Sequence, residues 1–272
     1  LKNSANIAVR TMQPLPAAAV GRFRERPVSP GLRASFSALW IHQMPLDPAP
    51  PIVVVPDATI DLQWIDGILR VAGPDKEANT ELVPAGATVI GFRFRPAAAA
   101  SWLRIPANEL VGERLPLENL WGSKASRLAN QIWKSQKDGN AAAAIEAVLA
   151  EYAADGPIDA AMSAAYALID AGPPLDVPLV PWLARALAMS ERTLRRRFDE
   201  SYGYGPKTLE RILRYQRFLK LSRNSPSSMA VTAAEVGYSD QAHLVRESRR
   251  LSGATPKGYR RMSVINAIEP QF

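Results

Sequence analysis

The chain has 272 residues, 47% of them hydrophobic and 22% charged. That is the composition of a folded globular protein with one large domain or two ordinary ones of about 150 residues each. It contains no Cys and only two His, His42 and His243. This excludes disulfides, thiolate metal sites and a Cys nucleophile, and leaves almost nothing from which to build a His-ligated metal centre. No run approaches the roughly 18 apolar residues of a membrane span, and no basic segment followed by an apolar one opens the chain. Neither a membrane partner nor a secretion signal is therefore expected, and the Leu1 start reads as trimmed.

The net charge of +7 is unevenly placed. Residues 171–272 hold 17 Lys or Arg against 9 Asp or Glu, a net of +8, and residues 1–170 sum to −1. A basic region joined to a near-neutral one suggests a polyanionic partner for the basic part. Many soluble proteins are basic, however, so charge alone does not decide the matter.

Twelve of the 23 prolines fall in the first 100 residues, among short β-branched or aromatic runs. Strands are predicted over Phe36–Met44, Ile52–Val55, Ile60–Trp64, Ile68–Val71 and Thr88–Phe94. In the last, Val89, Gly91, Arg93 and Arg95 share one face, and Ile90, Phe92 and Phe94 the other. A small β-barrel or sandwich is expected. Helices are predicted over Ala97–Leu103, Ser123–Gln136, Ala141–Ala153 and Asp159–Ala171, with breaks at Gly122, Gly139 and Gly156-Pro157. Beyond a boundary placed within 155–176 the chain reads as wholly helical.

That C-terminal part carries a near-repeat. Leu194-Arg195-Arg196 and Gly203-Tyr204-Gly205-Pro206-Lys207 return fifty residues later as Leu244-Val245-Arg246 and Gly253-Ala254-Thr255-Pro256-Lys257. Upstream, Leu183-Ala184 and Ala188-Met189-Ser190 match Thr232-Ala233 and Gly237-Tyr238-Ser239 at a spacing of 49. Each copy is a short helix with a small Ala, a tight turn, a capping Ser or Asp, and a second helix that ends before Gly and Pro. This is the pattern of a helix-turn-helix, in which the second helix enters the DNA major groove.

The stretches Leu183–Phe198 with Gly203–Pro206, and Gly237–Arg246 with Gly253–Arg260, resemble the DNA-binding domain of the AraC/XylS family of bacterial transcription regulators. The resemblance implies an all-α domain of two helix-turn-helix units joined by a long helix, matching Lys207–Ser222. More loosely, Val55-Pro56-Asp57, Asp61-Leu62, Gly91–Pro96 and Leu117–Gly122 resemble one branch of that family, whose N-terminal domain is a cupin-like β-barrel. The implied fold is α+β: a barrel over 1–100, a helical linker over 101–170 and the double helix-turn-helix over 171–272. Three residues depart from the pattern. Ala188 stands where the first turn usually has Gly, Thr232 occupies a usually apolar position, and Ser248 replaces a buried Phe kept as Phe198 in the first copy. The last predicts a more loosely packed second unit.

Arg192, Arg195 and Arg196 lie on one helix face and are the base-reading candidates, since Arg binds guanine O6 and N7 in a fork. Arg197 falls on another face, as a phosphate or surface residue. In the second helix Gln241, Ala242, Val245 and Arg246 are the exposed base-contact candidates. Ser190, Thr193, Lys207, Arg211, Arg214, His243, Lys257 and Arg260 are candidates for phosphate contact, and solvated basic side chains are the plain alternative.

In the barrel, Trp40, Trp64, Arg93 and Arg95 are candidate effector-pocket residues, against core packing for the tryptophans and solvent exposure for the arginines. Asp57 and Asp61 read as turn and cap residues before acid–base chemistry. The expected function is a cytoplasmic, sequence-specific DNA-binding regulator, not an enzyme, with no cofactor or metal. Its expected partners are double-stranded DNA, a small-molecule effector, a second copy of the chain and, for an activator, RNA polymerase. The alternatives are a small-molecule-binding or enzymatic barrel tethered to DNA by its basic region, and a barrel that only dimerises.

Overall fold

A computed structural model describes residues 12–135, 140–152, 158–174, 177–224 and 228–264. The expected breaks at Gly139 and Gly156-Pro157, and part of the expected boundary, lie outside these residues.

The alternating apolar runs form the strands β1 (Leu15–Pro16), β2 (Arg22–Arg26), β3 (Phe36–Gln43), β4 (Ile52–Val54), β5 (Asp61–Ile65), β6 (Ile68–Ala72), β7 (Asn79–Glu81), β8 (Thr88–Phe94) and β9 (Arg114–Pro116). Six of them make an antiparallel sheet in the order β2-β3-β8-β5-β6-β9. The other three make a small sheet of order β1-β4-β7, in which β1 runs parallel to β4. The expected barrel is therefore not closed. Strand β2 reads Arg-Phe-Arg-Glu-Arg and is exposed along its whole length, and β9 ends at Pro116. Charge and Pro on outer strands are what stop further pairing, so the sheet keeps two free edges.

Strand alternation gives the large sheet two different faces. Leu39, Leu62, Trp64, Leu69, Val71, Ile90, Phe92 and Phe94 point to one side and are buried in a single apolar cluster. That face is covered by α1 (Ala99–Leu103), α2 (Glu118–Trp121), α3 (Ser123–Ser135) and α4 (Ala141–Glu151), which contribute Trp102, Leu128, Ile132, Ile145 and Leu149. The other face presents Trp40, His42, Asp61, Gln63 and Arg93 toward the small sheet.

A second apolar cluster organises the helices α5 (Ala160–Asp170), α6 (Leu179–Ala186), α7 (Glu191–Tyr202), α8 (Pro206–Asn224), α9 (Met229–Glu235), α10 (Gln241–Ser252) and α11 (Pro256–Val264). The expected linking helix is α8, and its Leu209, Ile212, Leu213 and Leu219 are buried as the periodicity requires. This helical part is docked on the sheets. Gln216 Nε2 on α8 donates to Pro56 O at 2.6 Å, and Ser163 Oγ on α5 donates to Pro96 O at 3.2 Å. Gly203, at φ 79°, sits so close to Val111 and Ala107 that a Cβ would lie 2.6 Å from Val111 Cγ2.

Candidate nucleic-acid interface and interior cavity

Both helix-turn-helix units are built from the same backbone device. In the first, Ala184 is buried, Ala188 takes φ 52°, and Met189 N–H closes the turn onto Ala184 O at 2.9 Å. In the second, Ala233 is buried, Gly237 takes φ 87°, and Tyr238 N–H donates to Ala233 O at 3.0 Å. The left-handed turn conformation suits Gly and strains Ala188. Each following helix is capped as its sequence suggests. Ser190 Oγ accepts from Thr193 N–H at 3.1 Å, and Asp240 Oδ1 accepts from His243 N–H at 2.6 Å. The His243 N–H bond is the chief cause holding the Asp240 carboxyl below the usual aspartate range. Both helices end on a Gly in the left-handed conformation, Gly203 and Gly253.

On α7, Leu194 and Phe198 are fully buried and Arg192, Arg195 and Arg196 are exposed. Arg195 pairs with Glu191 at 3.0 Å and Arg196 with Glu200 at 2.8 Å, while Arg192 has no ion pair among the described residues. On α10, Gln241, Ala242 and Arg246 are exposed and Val245 is half-buried. Lys207, Lys257 and Arg260 are exposed, and Thr193 and His243 lie half-buried in the first turns of α7 and α10.

Four expectations change. Arg211 does not face outward, because its guanidinium meets Glu247 of α10 at 3.1 Å and both side chains are largely shielded. Arg214 is occupied as well, with Nη1 on Gly237 O at 3.1 Å, Nη2 on Glu210 at 2.8 Å, and the guanidinium over the Tyr238 ring. It fastens α8 to the second turn rather than standing ready for a phosphate. Arg197 is not a free surface residue, since its guanidinium binds the Asp159 carboxylate at the start of α5. Ser248 does not leave the second unit loose. It is fully buried, 2.9 Å from the Tyr215 hydroxyl, and donates to Ala254 O at 2.8 Å.

Between the two sheets lies a cavity of about 270 Å³, closed on one side by Gln216 and Leu219 of α8 and Tyr259 of α11. Of the four expected pocket residues, Trp40 and Arg93 line it. Trp64 does not: on β5 it points away from Asp61 and Gln63 into the apolar cluster under the helices. Arg95 lies beyond the end of β8, exposed, with Nη1 3.4 Å from Arg33 O. Asp57 takes the expected turn role and accepts from both Thr59 N–H and its hydroxyl, at 3.1 and 2.7 Å. Asp61 is buried, and its Oδ2 accepts from Trp40 Nε1 at 3.1 Å.

The sequence reading missed the polar half of this cavity. Arg114 binds Asp75 and Glu81, each at 2.6 Å, and Arg70 binds Glu81 at 2.6 Å and Gln63 at 2.7 Å. Burial raises Glu81, but Arg70 and Arg114 outweigh it and its pKa ends below the usual glutamate range. At Asp75 burial wins over Arg114, and its pKa is raised. These residues sit on β5, β6, β7 and β9 and in a loop, so no spacing in the sequence brings them together. The one available signal was the alternation that puts Gln63 beside Asp61.

Residues 183–262 match a family described as helix-turn-helix domain. This region is an AraC-type helix-turn-helix domain. That match supports a DNA-binding transcription regulator. Residues 24–116 of the chain match a domain of unknown function, DUF6597. Solved structures similar to it include ToxT from Vibrio cholerae O395, with 11% identity, a TM-score of 0.45, and coverage of 90% of this chain and 99% of that one. Apo ToxT from strain SCE256 of the same organism gives 10% identity, a TM-score of 0.45, and coverage of 88% and 100%. No curated protein sequence matches the regulator. No helix among its described residues is long and apolar enough to cross a membrane.

Proposed function

We propose that the regulator reads a specific DNA sequence with α7 and α10, and that a small effector in the cavity between the sheets modulates this binding. The observation carrying the first part is the duplicated turn, with Arg192, Arg195 and Arg196 exposed on one recognition helix and Gln241, Ala242 and Arg246 on the other. Arg pairs with guanine, Gln with adenine, and Ala242 or Val245 packs on a thymine methyl. Lys207, Lys257 and Arg260 supply phosphate contacts, assisted by Ser190, Thr193 and His243 at the helix N-termini. A DNA partner fits a cytoplasmic location.

The effector reading is supported by the position of the cavity. Its wall includes Gln216 and Leu219 of α8, the helix that joins both DNA-reading units. Gln216 also holds Pro56 O, one residue before Asp57 in the wall. A ligand that shifts the Asp57 loop therefore moves a direct partner of α8. The volume is just under the roughly 300–1,000 Å³ of drug-sized sites, which selects a small metabolite. The cavity's carboxylates mostly face guanidiniums, an arrangement suited to binding rather than catalysis.

Selection of bound duplexes from a random library, at fixed salt, tests the proposal. Enrichment of a two-part site is expected, with one part lost in an Arg196→Ala variant and the other in an Arg246→Ala variant. Equal affinity for random and selected duplexes overturns sequence reading.

A further inference from the structure

Charge is balanced in most of the cavity and unbalanced at one end. Arg70 and Arg114 are matched by Asp75 and Glu81. At the other end a single guanidinium, that of Arg93, serves three carboxylates: Glu25 at 2.9 Å, Asp57 at 3.4 Å and Asp61 at 3.5 Å. Asp57, Asp61 and Arg93 line the cavity and Glu25 does not, so this end of the wall carries one negative charge more than positive ones. Only Glu25 takes a hydrogen bond from Arg93. Asp61 is 8% exposed, and its Oδ1 has no hydrogen-bond partner. Two aromatic rings stand beside this carboxylate. Trp40 holds Oδ2, and Phe23 stacks on Trp40 with centroids 5.8 Å apart. Phe23 is half exposed, which gives this end an aromatic mouth. The remaining charge in the lining, Arg223, comes from the C-terminal part of α8, beside Tyr259.

We propose that this end of the cavity binds a small organic cation, an amine whose ammonium sits by the Asp57 and Asp61 carboxylates against the Phe23 ring. The proposal rests on the effector reading above and names the chemical class of its ligand. Carboxylates beside an open aromatic face, here that of Phe23, are the recognised chemistry for an ammonium group, which gains a charged hydrogen bond and a cation–π contact together. Burial holds the Asp61 carboxyl up at about 6, although Arg93 pulls it down. An arriving cation offsets part of that burial cost and thus gains affinity from a site that is under-compensated when empty. An anion would meet the reverse situation at this end, because Arg93, like Arg70 and Arg114, already has carboxylate partners within 3.5 Å, and the remaining lining arginine, Arg223, stands on α8 beside Tyr259. The backbone at Ala58, held at φ 64° between Asp57 and Thr59, places the Asp57 side of this site directly after the Pro56 carbonyl that α8 grips.

The chain of residues 1–272 is titrated calorimetrically with matched probes: benzylamine, benzyl alcohol and benzoate, then butylamine, butanol and butyrate. Each amine is expected to bind at least about tenfold more tightly than its alcohol or acid partner. That preference disappears in Asp61→Asn and Asp57→Asn, both of which keep side-chain acceptors for Trp40 and Thr59. Retained binding of the selected duplex shows that each variant is folded. If alcohols or acids bind as well as amines, and a Phe23→Ala variant loses them, the cation class is overturned while the effector site stands. If no probe of either series binds, the site and the class both fail. If the amines bind and Asp61→Asn binds them equally well, the assigned carboxylate is overturned.

Discussion

The Tyr215 hydroxyl lies 2.9 Å from Ser248 Oγ and 3.1 Å from Ser252 Oγ, fully buried between α8 and α10. Ser248 stands fifty residues after Phe198, in the place where the first unit buries a ring. In the second unit the ring comes instead from the long helix. Ser248→Phe, which would restore the symmetry of the repeat, therefore overpacks the site. It is expected to cost about 1–3 kcal/mol in a urea titration. Ser248→Ala leaves Tyr215 its bond to Ser252 and costs only about 1 kcal/mol.

Ala188 and Gly237 occupy equivalent turns with φ of 52° and 87°. An L-residue with a Cβ is strained there by about 1–2 kcal/mol. Ala188→Gly should therefore stabilise the protein by about 0.5–1 kcal/mol net of the extra freedom of Gly in the unfolded chain, and Gly237→Ala should destabilise it. Thermal unfolding of both variants measures the two signs. A loss of stability in Ala188→Gly would show that the turn is not strained.

These turns were legible in the sequence because their chemistry is local: one small residue, one left-handed position and one cap, all within a few residues. The β8 alternation was legible for the same reason, and Ile90, Phe92 and Phe94 are buried on one face as expected. Strand β2 was not. Arg22–Arg26 has four charged residues and is held by pairing with β3, by the Glu25–Arg93 and Arg26–Glu146 ion pairs and by Phe23 stacking on Trp40, so it carries no apolar alternation to read. The cavity was legible only in part. Trp40 and Trp64 look alike in composition, yet they lie on opposite faces of one sheet, because register and not residue type decides which face is core. The Arg211–Glu247 pair and the Arg70–Glu81–Arg114 cluster depend on which strands and helices become neighbours, which lies beyond any local window.

Arg211 and Lys257, both phosphate candidates by sequence, have different surroundings. The Arg211 guanidinium faces Glu247 at 3.1 Å with 19% and 14% of the two side chains exposed, whereas Lys257 is exposed. Arg211→Gln leaves a shielded carboxylate without its partner, so a loss of about 1–3 kcal/mol in stability is expected, with the salt dependence of DNA binding unchanged. Lys257→Ala should leave stability alone and lower the slope of log affinity against log salt by about 1. Binding isotherms at several salt concentrations, paired with urea titrations, separate the two. A reduced slope for Arg211→Gln at full stability would return Arg211 to the phosphate contacts.

Asp61 provides the pH prediction. Burial is the largest cause of its shift and is reinforced by Asp57 and Glu25, while Arg93 and the Trp40 N–H oppose it. Its pKa rises from 3.8 to about 6. The fold therefore binds a proton that the unfolded chain has already released. The resulting stabilisation is fully present below pH 3.8 and is lost as the pH rises through about 6. Asp61→Asn mimics the protonated side chain at every pH. Relative to wild type, the variant should gain stability between pH 4.5 and 7.5, on the order of 2 kcal/mol in all. Other groups that titrate in this range are common to both proteins, so the difference between their unfolding free energies reports Asp61 together with its interaction with Asp57 and Glu25. A difference that stays flat across this range would mean that Asp61 ionises at its ordinary value, and that its carboxylate is better compensated by Arg93 than their 3.5 Å separation suggests.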